Sequence, residues 1–207
     1  PSAFQEVRQA QNASVIHTQV WHPRIPFKIS FFMTRLLLEK LPLTNALWRV
    51  GVQLASKCVC CDDGEIELLE HVFSEGQVAR GVWTYFARIC GVTRRRSSLR
   101  AWLTAWWLSS PRSEKRWVLF SVHPSFTCWH ILKARNKAHY EGVQMRVVRL
   151  CHDILVDVQG VVEAQFNQRL GVQMFQQLYE WTQHLTPPLQ LAASGVEGDG
   201  GRNANVK

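Results

Sequence analysis

The chain of 207 residues contains no run of about eighteen apolar residues, the length that a membrane-spanning helix needs. No signal peptide is evident either, and the sequence starts at Pro1 rather than at a methionine. We therefore expect no membrane partner, and we expect a fragment or a processed piece of a longer chain. Hydrophobic content of 46% and charged content of 19% are otherwise typical of a globular protein.

The chain also lacks a disulfide framework. Three of its six cysteines crowd into positions 58–61, where neighbours do not bridge easily, and Cys90, Cys128 and Cys151 are scattered among apolar residues. This usage is typical of a reducing compartment. It predicts an intracellular location, in the nucleus or the cytoplasm, and favours metal binding over cross-links.

Acidic residues are scarce, with 16 of them against 24 Lys and Arg, so the net charge is +8. A basic excess favours a polyanionic partner, most simply RNA or DNA. The candidate contact residues are Arg94, Arg95 and Arg96 in one run, and Lys133, Arg135 and Lys137 on one predicted helix. The alternative interpretation is that both sets belong to ordinary solvated surface.

Motifs of catalytic metal chemistry are missing as well. The sequence has no His-Glu-x-x-His motif. Asp153 and Asp157 lie four residues apart on a predicted helix, but no further acidic residues gather near them, so an exposed helix face is the simpler interpretation. We expect no catalytic residues.

A metal site is nevertheless indicated by one short loop. Two residues separate Cys58 from Cys61, a spacing that lets two thiolates reach one ion, and His71 follows at the head of a predicted helix. The pattern predicts a small zinc site with these three ligands. Cys60 lies between two of them, and we expect its side chain to point away. Structural zinc has four donors, so one more is needed.

Apolar residues recur at helical spacing through most of the chain, which predicts an all-α fold. The predicted helices cover residues 29–40, 45–50, 65–73, 77–90, 99–108, 114–122, 126–140, 143–166 and 172–185. His123-Pro124 is expected to break a helix, and residues 15–20 are expected to be extended. Most of the nine tryptophans are predicted to be core, with Trp106 and Trp107 as the pair to test for exposure.

A series of short blocks occurs in a characteristic order. The blocks are Trp21, Pro26–Phe32, Arg35–Leu37, Leu41–Thr44, the Cys58 and Cys61 pair, Glu70–Phe73 and Val82–Trp83. Together they resemble the zinc-binding region of plant reverse transcriptases, which follows the polymerase domain in non-LTR retrotransposons. The likeness covers roughly residues 15–90, and a looser one covers 117–140, where Ile131–Lys137 is similar to a block that follows in such polyproteins.

The resemblance implies a fourth zinc ligand, a cysteine five residues after the histidine. Gly76 stands there and offers no donor, so Glu75 is the first substitute. There are two alternatives to Glu75: water fills the fourth position, or the site binds no metal.

No Tyr-x-Asp-Asp run and no dispersed acidic set occur, so neither a polymerase palm nor an RNase H site is expected. The resemblance implies a zinc-binding, nucleic-acid-binding module. The alternative is an inert or protein-interacting helical remnant with a degenerate metal site.

The predicted organisation is a helical array with a small zinc-knuckle-like loop near the N-terminal third. Residues 1–92 form the zinc-binding, reverse-transcriptase-associated domain, 93–98 a basic joint and 99–186 a helical extension. The Gly, Ser, Asn and Asp content after Pro187-Pro188 predicts a disordered tail over 187–207. Whether the extension packs on the first domain stays open at this point.

Overall fold

The computed structural model describes residues 15–43, 51, 57–61, 64–93, 97–109, 114–144 and 146–166. All of them lie in the first of the two units into which the chain divides, Pro1–Asn167, the second being Gln168–Lys207. The helices are α1 Val15–Val20, α2 Phe27–Leu37, α3 Gln77–Cys90, α4 Leu99–Leu108, α5 Glu114–Glu141 and α6 Val147–Phe166, with a π-helical turn His71–Glu75 before α3. Because the described residues are mostly helical and none lies in a strand, the all-α prediction is confirmed.

Helix α5 is the centre of the described structure. Every other helix named above, and the π-helical turn, contacts it. Residues 118–128 are all buried, as expected of a helix that is covered on all sides. Helices α4 to α6 therefore pack on the elements that precede residue 93. The predicted division into a domain over 1–92, a joint over 93–98 and an extension from residue 99 stays a prediction.

The predicted break at His123-Pro124 is wrong, because α5 continues through both residues. Proline cannot donate a backbone hydrogen bond, and inside a helix it costs about 3 kcal/mol. Packing around the position offsets this cost. The His123 ring stacks on Trp106 with centroids 5.1 Å apart, and its edge meets Phe86 at 4.2 Å. Burial lowers the pKa of His123 to about 3, so the ring is a neutral part of the core.

The tryptophans next to this ring form a cluster in the core. Trp83 lies 5.9 Å from Trp102 and 5.7 Å from Trp106, measured between ring centroids. Trp107 is buried too, and its indole N–H donates to the carbonyl oxygen of Ser121 at 3.2 Å. The core interpretation is confirmed for these residues. Trp106 and Trp107 are therefore not the exposed pair that the sequence suggested.

Helix ends were predictable where local residues determine them. Helices α3 and α4 have the predicted bounds, since Gly91 ends α3 at φ 67° and the Ser98 hydroxyl accepts a hydrogen bond from the amide of Ala101. Residues 15–20 are helical rather than extended, and α2 begins directly after Pro26. The predicted helices over 45–50 and 172–185 and the predicted tail lie outside the described residues. No described helix is long and apolar enough to cross a bilayer.

Candidate metal centre

The cysteine loop is closed at its base by a short antiparallel pair. Lys57 and Ile66 form an isolated bridge, and the amide of Cys58 donates to the carbonyl oxygen of Glu65 at 2.8 Å. This pair replaces the first half of the helix predicted over 65–73, and helical structure begins only at residue 69. The tight hairpin brings Cys58 and Cys61 onto one turn, as in a zinc knuckle.

The three predicted ligands converge. The sulfurs of Cys58 and Cys61 and a ring nitrogen of His71 all lie within 4.8 Å of one another. A tetrahedral zinc ion at ordinary bond lengths holds such atoms about 3.5 to 3.8 Å apart, so small shifts suffice for coordination. The Nε2 atom of His71 is buried and has no hydrogen-bond partner among the described residues. Because a desolvated imidazole nitrogen without a partner is costly, the arrangement fits a metal ligand.

His71 is placed by the π-helical turn that it begins. The amide of Gly76 donates to the carbonyl oxygen of His71 at 2.7 Å and closes the wide turn. The buried Trp83 holds the same turn from α3, since its indole N–H donates to the carbonyl oxygen of Phe73 at 2.7 Å. Wide turns of this type often occur at functional sites. Apolar spacing alone does not reveal them.

The thiols of the loop influence one another. The Cys60 thiol hydrogen-bonds to Cys58 and, with the Cys60 amide and the Cys61 thiol, lowers the pKa of Cys58 to about 5 against the effect of burial. The same interaction raises the pKa of Cys60 well above its ordinary value. Cys60 thus contacts the Cys58 side chain. Cys60 is nevertheless not one of the three residues whose donor atoms converge, and its thiol supports Cys58 as a thiolate.

The sulfur of Cys61 lies next to the first backbone amides of α3. Burial, together with the charge of Cys58, raises the pKa of Cys61 to about 11, while hydrogen bonds from the amides of Val78 and Gln77 lower it. Amides in the first turn of a helix favour negative charge on a nearby sulfur. A cation bound between the two cysteines would oppose both effects that raise the pKa of Cys61, its burial and the charge of Cys58. Both sulfurs are thus placed to serve as thiolate ligands of one ion.

Gly76 occupies the position where the resemblance implies a cysteine, and it lies directly against His71. A Cβ atom at Gly76 would lie 2.6 Å from the carbonyl oxygen of His71 and 2.9 Å from its Nε2. The position is therefore at the cluster, but a side chain fits only if the turn shifts. Glu75 is exposed and does not join the converging donors, so the structure does not bring the predicted substitute into the site.

Substituting alanine for Gly76 is expected to destabilise the chain by about 1–3 kcal/mol, because the methyl group overlaps the His71 carbonyl and imidazole. Thermal unfolding with bound zinc measures the effect, and zinc affinity is expected to fall with it. The matched control is Gly160→Ala in α6, where a Cβ atom meets nothing within 4 Å and the helix gains propensity. Equal Tm values for the two variants would contradict the proposed close approach.

A buried ion pair fixes the loop to α5, and it corrects the interpretation of Arg135. The Arg135 Nε donates to Oε1 of Glu67 at 2.7 Å, and Nη2 donates to Oε2 at 2.9 Å. Both residues are almost fully buried. Arg135 is therefore engaged by a carboxylate in the interior and is not available to a phosphate, contrary to the prediction. Hydrogen bonding to Glu67 also raises the pKa of Arg135.

Two further contacts position the loop and were not visible in the sequence. Gln144, just after α5, donates from its side-chain amide to the carbonyl oxygen of Val59 at 2.6 Å. Glu70 accepts a hydrogen bond from the amide of Leu99 at 2.7 Å and so caps the start of α4. Burial raises the pKa of Glu70 and this hydrogen bond opposes the rise. The residue before the histidine ligand thus links the metal loop to the later helices.

The structure describes only two of the five remaining candidates for nucleic-acid contact. Lys133 and Lys137 are exposed on α5, whereas Arg94, Arg95 and Arg96 lie outside the described residues. The carboxylate pair on α6 has partners of its own. Asp157 accepts from His130 at 2.8 Å, and Asp153 pairs with Arg149 at 3.1 Å.

Fold and site together define a helical protein with a Cys-Cys-His loop suited to zinc. The family described as zinc-binding in reverse transcriptase matches residues 1–83. Residues 1–83 are therefore similar to this family, and the family resemblance predicted from the sequence blocks is confirmed there. No curated protein and no solved structure matches the chain. The family implies zinc, and the three converging residues lie close enough to hold it.

Proposed function

We propose that the chain is a non-catalytic nucleic-acid-binding module whose cysteine loop is held by zinc. The observation that carries the proposal is the convergence of Cys58, Cys61 and the unpartnered His71 nitrogen within a reverse-transcriptase zinc-binding region. Zinc in such a site supplies folding energy by joining ligands from different segments. The origin of the chain in a plant non-LTR retrotransposon, and its location in the nucleus or cytoplasm, belong to the same proposal.

The surroundings of the three ligands support a structural role for the metal. Two ligands are on the hairpin and one is on the π-helical turn, so one ion would cross-link the loop to α3. Both cysteines are buried, and no carboxylate of a described residue joins the cluster as a general base. A reactive centre needs a proton acceptor beside the metal as well as an open coordination position, and the described residues of this site supply only the open position.

The partner is proposed from charge. The net charge of +8 favours a polyanion, and Lys133 and Lys137 are exposed and available for phosphate contacts. The run Arg94–Arg96 adds three more positive charges in the segment between α3 and α4. These residues together are the proposed phosphate contacts, with Arg135 removed from the set.

The expected result in solution is binding to RNA or DNA that weakens steeply with salt. If the chain contacts three phosphates of a single strand, raising the salt from 50 to 200 mM weakens binding more than about 10-fold. Fluorescence anisotropy measures this change. Replacing Arg94, Arg95 and Arg96 together by alanine is expected to reduce the slope of log K against log salt by about 2. Arg149→Ala removes a charge that Asp153 already pairs, so it serves as the control. A flat salt dependence, or no binding to either nucleic acid, would refute the proposal.

The second candidate is an inert or protein-interacting helical remnant, and Gly76 is the observation that favours it. The position of the fourth ligand holds a residue without a donor. Under this alternative the purified chain contains no zinc and binds neither nucleic acid. Zinc stoichiometry per chain separates the two candidates, with one ion expected under the proposed function.

A further inference from the structure

A cleft remains that none of the interactions above explains. Its volume is about 560 Å³, and it lies between the segment that leads into α2, the middle of α5 and the C-terminal half of α6. Sites for small ligands and cofactors have volumes of about 300 to 1,000 Å³, so the cleft is large enough for one nucleotide. It is separate from the metal ligands, none of which lines it.

The walls of the cleft combine positive charge with an aromatic ring. Arg24, Lys28 and Lys133 line it, and the Nζ atom of Lys28 lies 5.8 Å from the centre of the Trp129 ring. The one acidic residue in the lining, Asp157, accepts a hydrogen bond from His130 at 2.8 Å and lies 4.0 Å from Lys133. Positive charge therefore exceeds negative charge among the described lining residues. Cations beside a flat apolar surface suit a ligand with an anionic group and a planar ring.

Three exposed aromatic rings belong to the same stretch of the chain as Arg24 and Lys28 of the cleft. Trp21, Phe27 and Phe31 are 38%, 73% and 52% exposed. Their ring centroids are 5.7 Å apart between Trp21 and Phe27, and 6.4 Å apart between Phe27 and Phe31, whose rings are nearly parallel at 18°. We call these residues the aromatic ladder. Large rings exposed side by side mark interaction surfaces, and here Arg24 and Lys28 lie between them in the sequence.

The geometry points to a binding site for a single nucleic-acid strand along the cleft and the aromatic ladder. Arg24, Lys28 and Lys133 hold a phosphate, and unpaired bases stack on Trp129 and on the aromatic ladder. Stacking on exposed rings requires bases that are free of their partners, so the site prefers a single strand over a duplex and tolerates any sequence. This inference rests on the proposed function, because it names the form of nucleic acid and its place on the molecule.

The test compares oligo(U) and oligo(dT) with a duplex of the same length, using fluorescence anisotropy and the full zinc-loaded chain. Phe27→Ala combined with Phe31→Ala is expected to weaken single-strand binding at least about 5-fold and to leave duplex binding within about 2-fold. Both rings are exposed, so the variant is expected to keep its Tm. Leu108→Ala, which removes a 67% exposed apolar side chain from α4, is the matched control and is expected to change neither affinity.

A second variant tests the phosphate contact. Lys28→Ala is expected to reduce the slope of log K against log salt for the single strand by about 0.7, whereas Arg100→Ala, which removes an exposed charge from α4, is expected to leave the slope unchanged. Salt-dependent binding that ignores the Phe27 and Phe31 substitutions would overturn this inference and leave the proposed function standing. Absence of binding to all three probes would overturn both.

Discussion

Replacing Arg135 by alanine is expected to destabilise the folded chain by about 3–5 kcal/mol, one of the largest effects of any single substitution in the described structure. The substitution leaves the Glu67 carboxylate, which is 1% exposed, without its two charged hydrogen-bond donors. Loss of charged donors disfavours the ionised form of a buried carboxylate. Chemical denaturation at neutral pH measures the loss.

Loss of the Arg135–Glu67 ion pair should also destabilise the cysteine loop. Glu67 directly follows the bridge residue Ile66, so the ion pair connects the base of the cysteine hairpin to the central helix. Once the pair is broken, the hairpin loses its link to α5 through Glu67, while the described hydrogen bond from Gln144 to the carbonyl oxygen of Val59 remains. We therefore expect Arg135→Ala to weaken zinc binding as well, although Arg135 is not a ligand.

The matched control is Arg149→Ala in α6. Arg149 also pairs with a carboxylate, Asp153 at 3.1 Å, but its side chain is 71% exposed, so the expected cost is below about 0.5 kcal/mol. Arg135→Met combined with Glu67→Leu should recover most of the loss, because it removes both buried charges. A cost for Arg135→Ala that is no larger than for Arg149→Ala would contradict the role given to the buried pair.

The contrast between these two arginines shows what the sequence could predict. Helices α3 and α4 were predicted with the correct bounds, because Gly91 and Ser98 act on their own helix ends through short-range geometry. The approach of the Cys58 and Cys61 sulfurs was also predictable, since a two-residue gap between cysteines determines how closely their sulfurs can approach. In each case the information lies within one short segment.

Long-range contacts were not predictable by the same reasoning. Arg135 lies on α5 next to residues of a candidate basic face, and only the folded chain shows that Glu67, 68 residues earlier, takes up its guanidinium. Pro124 predicts a helix break by its own chemistry, yet the rings of Trp106 and Phe86 against the neighbouring His123 keep α5 continuous. Spacing along the chain carries no information on which distant side chain will be the partner.

Removal of zinc is the second large effect that we expect. If free zinc exceeds its dissociation constant 100-fold, the bound ion stabilises the chain by about 2.7 kcal/mol, so a chelator should lower the Tm by about 5–11 °C. The Cys58→Ser and His71→Ala variants should each lack most of this response, because each removes one of the three converging donors. Differential scanning calorimetry with and without chelator, together with metal analysis, measures both quantities.

The free cysteines of the chain supply the control for this experiment. Cys90 is a free thiol outside the cluster, so Cys90→Ser should keep one zinc per chain and the full chelator response. Cys60→Ala is more informative, because Cys60 contacts Cys58 but does not converge on the site. It should keep the stoichiometry and reduce the affinity, since the Cys58 thiolate loses a hydrogen-bond donor. If neither the chelator nor the two ligand substitutions change the Tm, protein contacts alone hold the loop. The proposal that zinc holds the cysteine loop is then wrong.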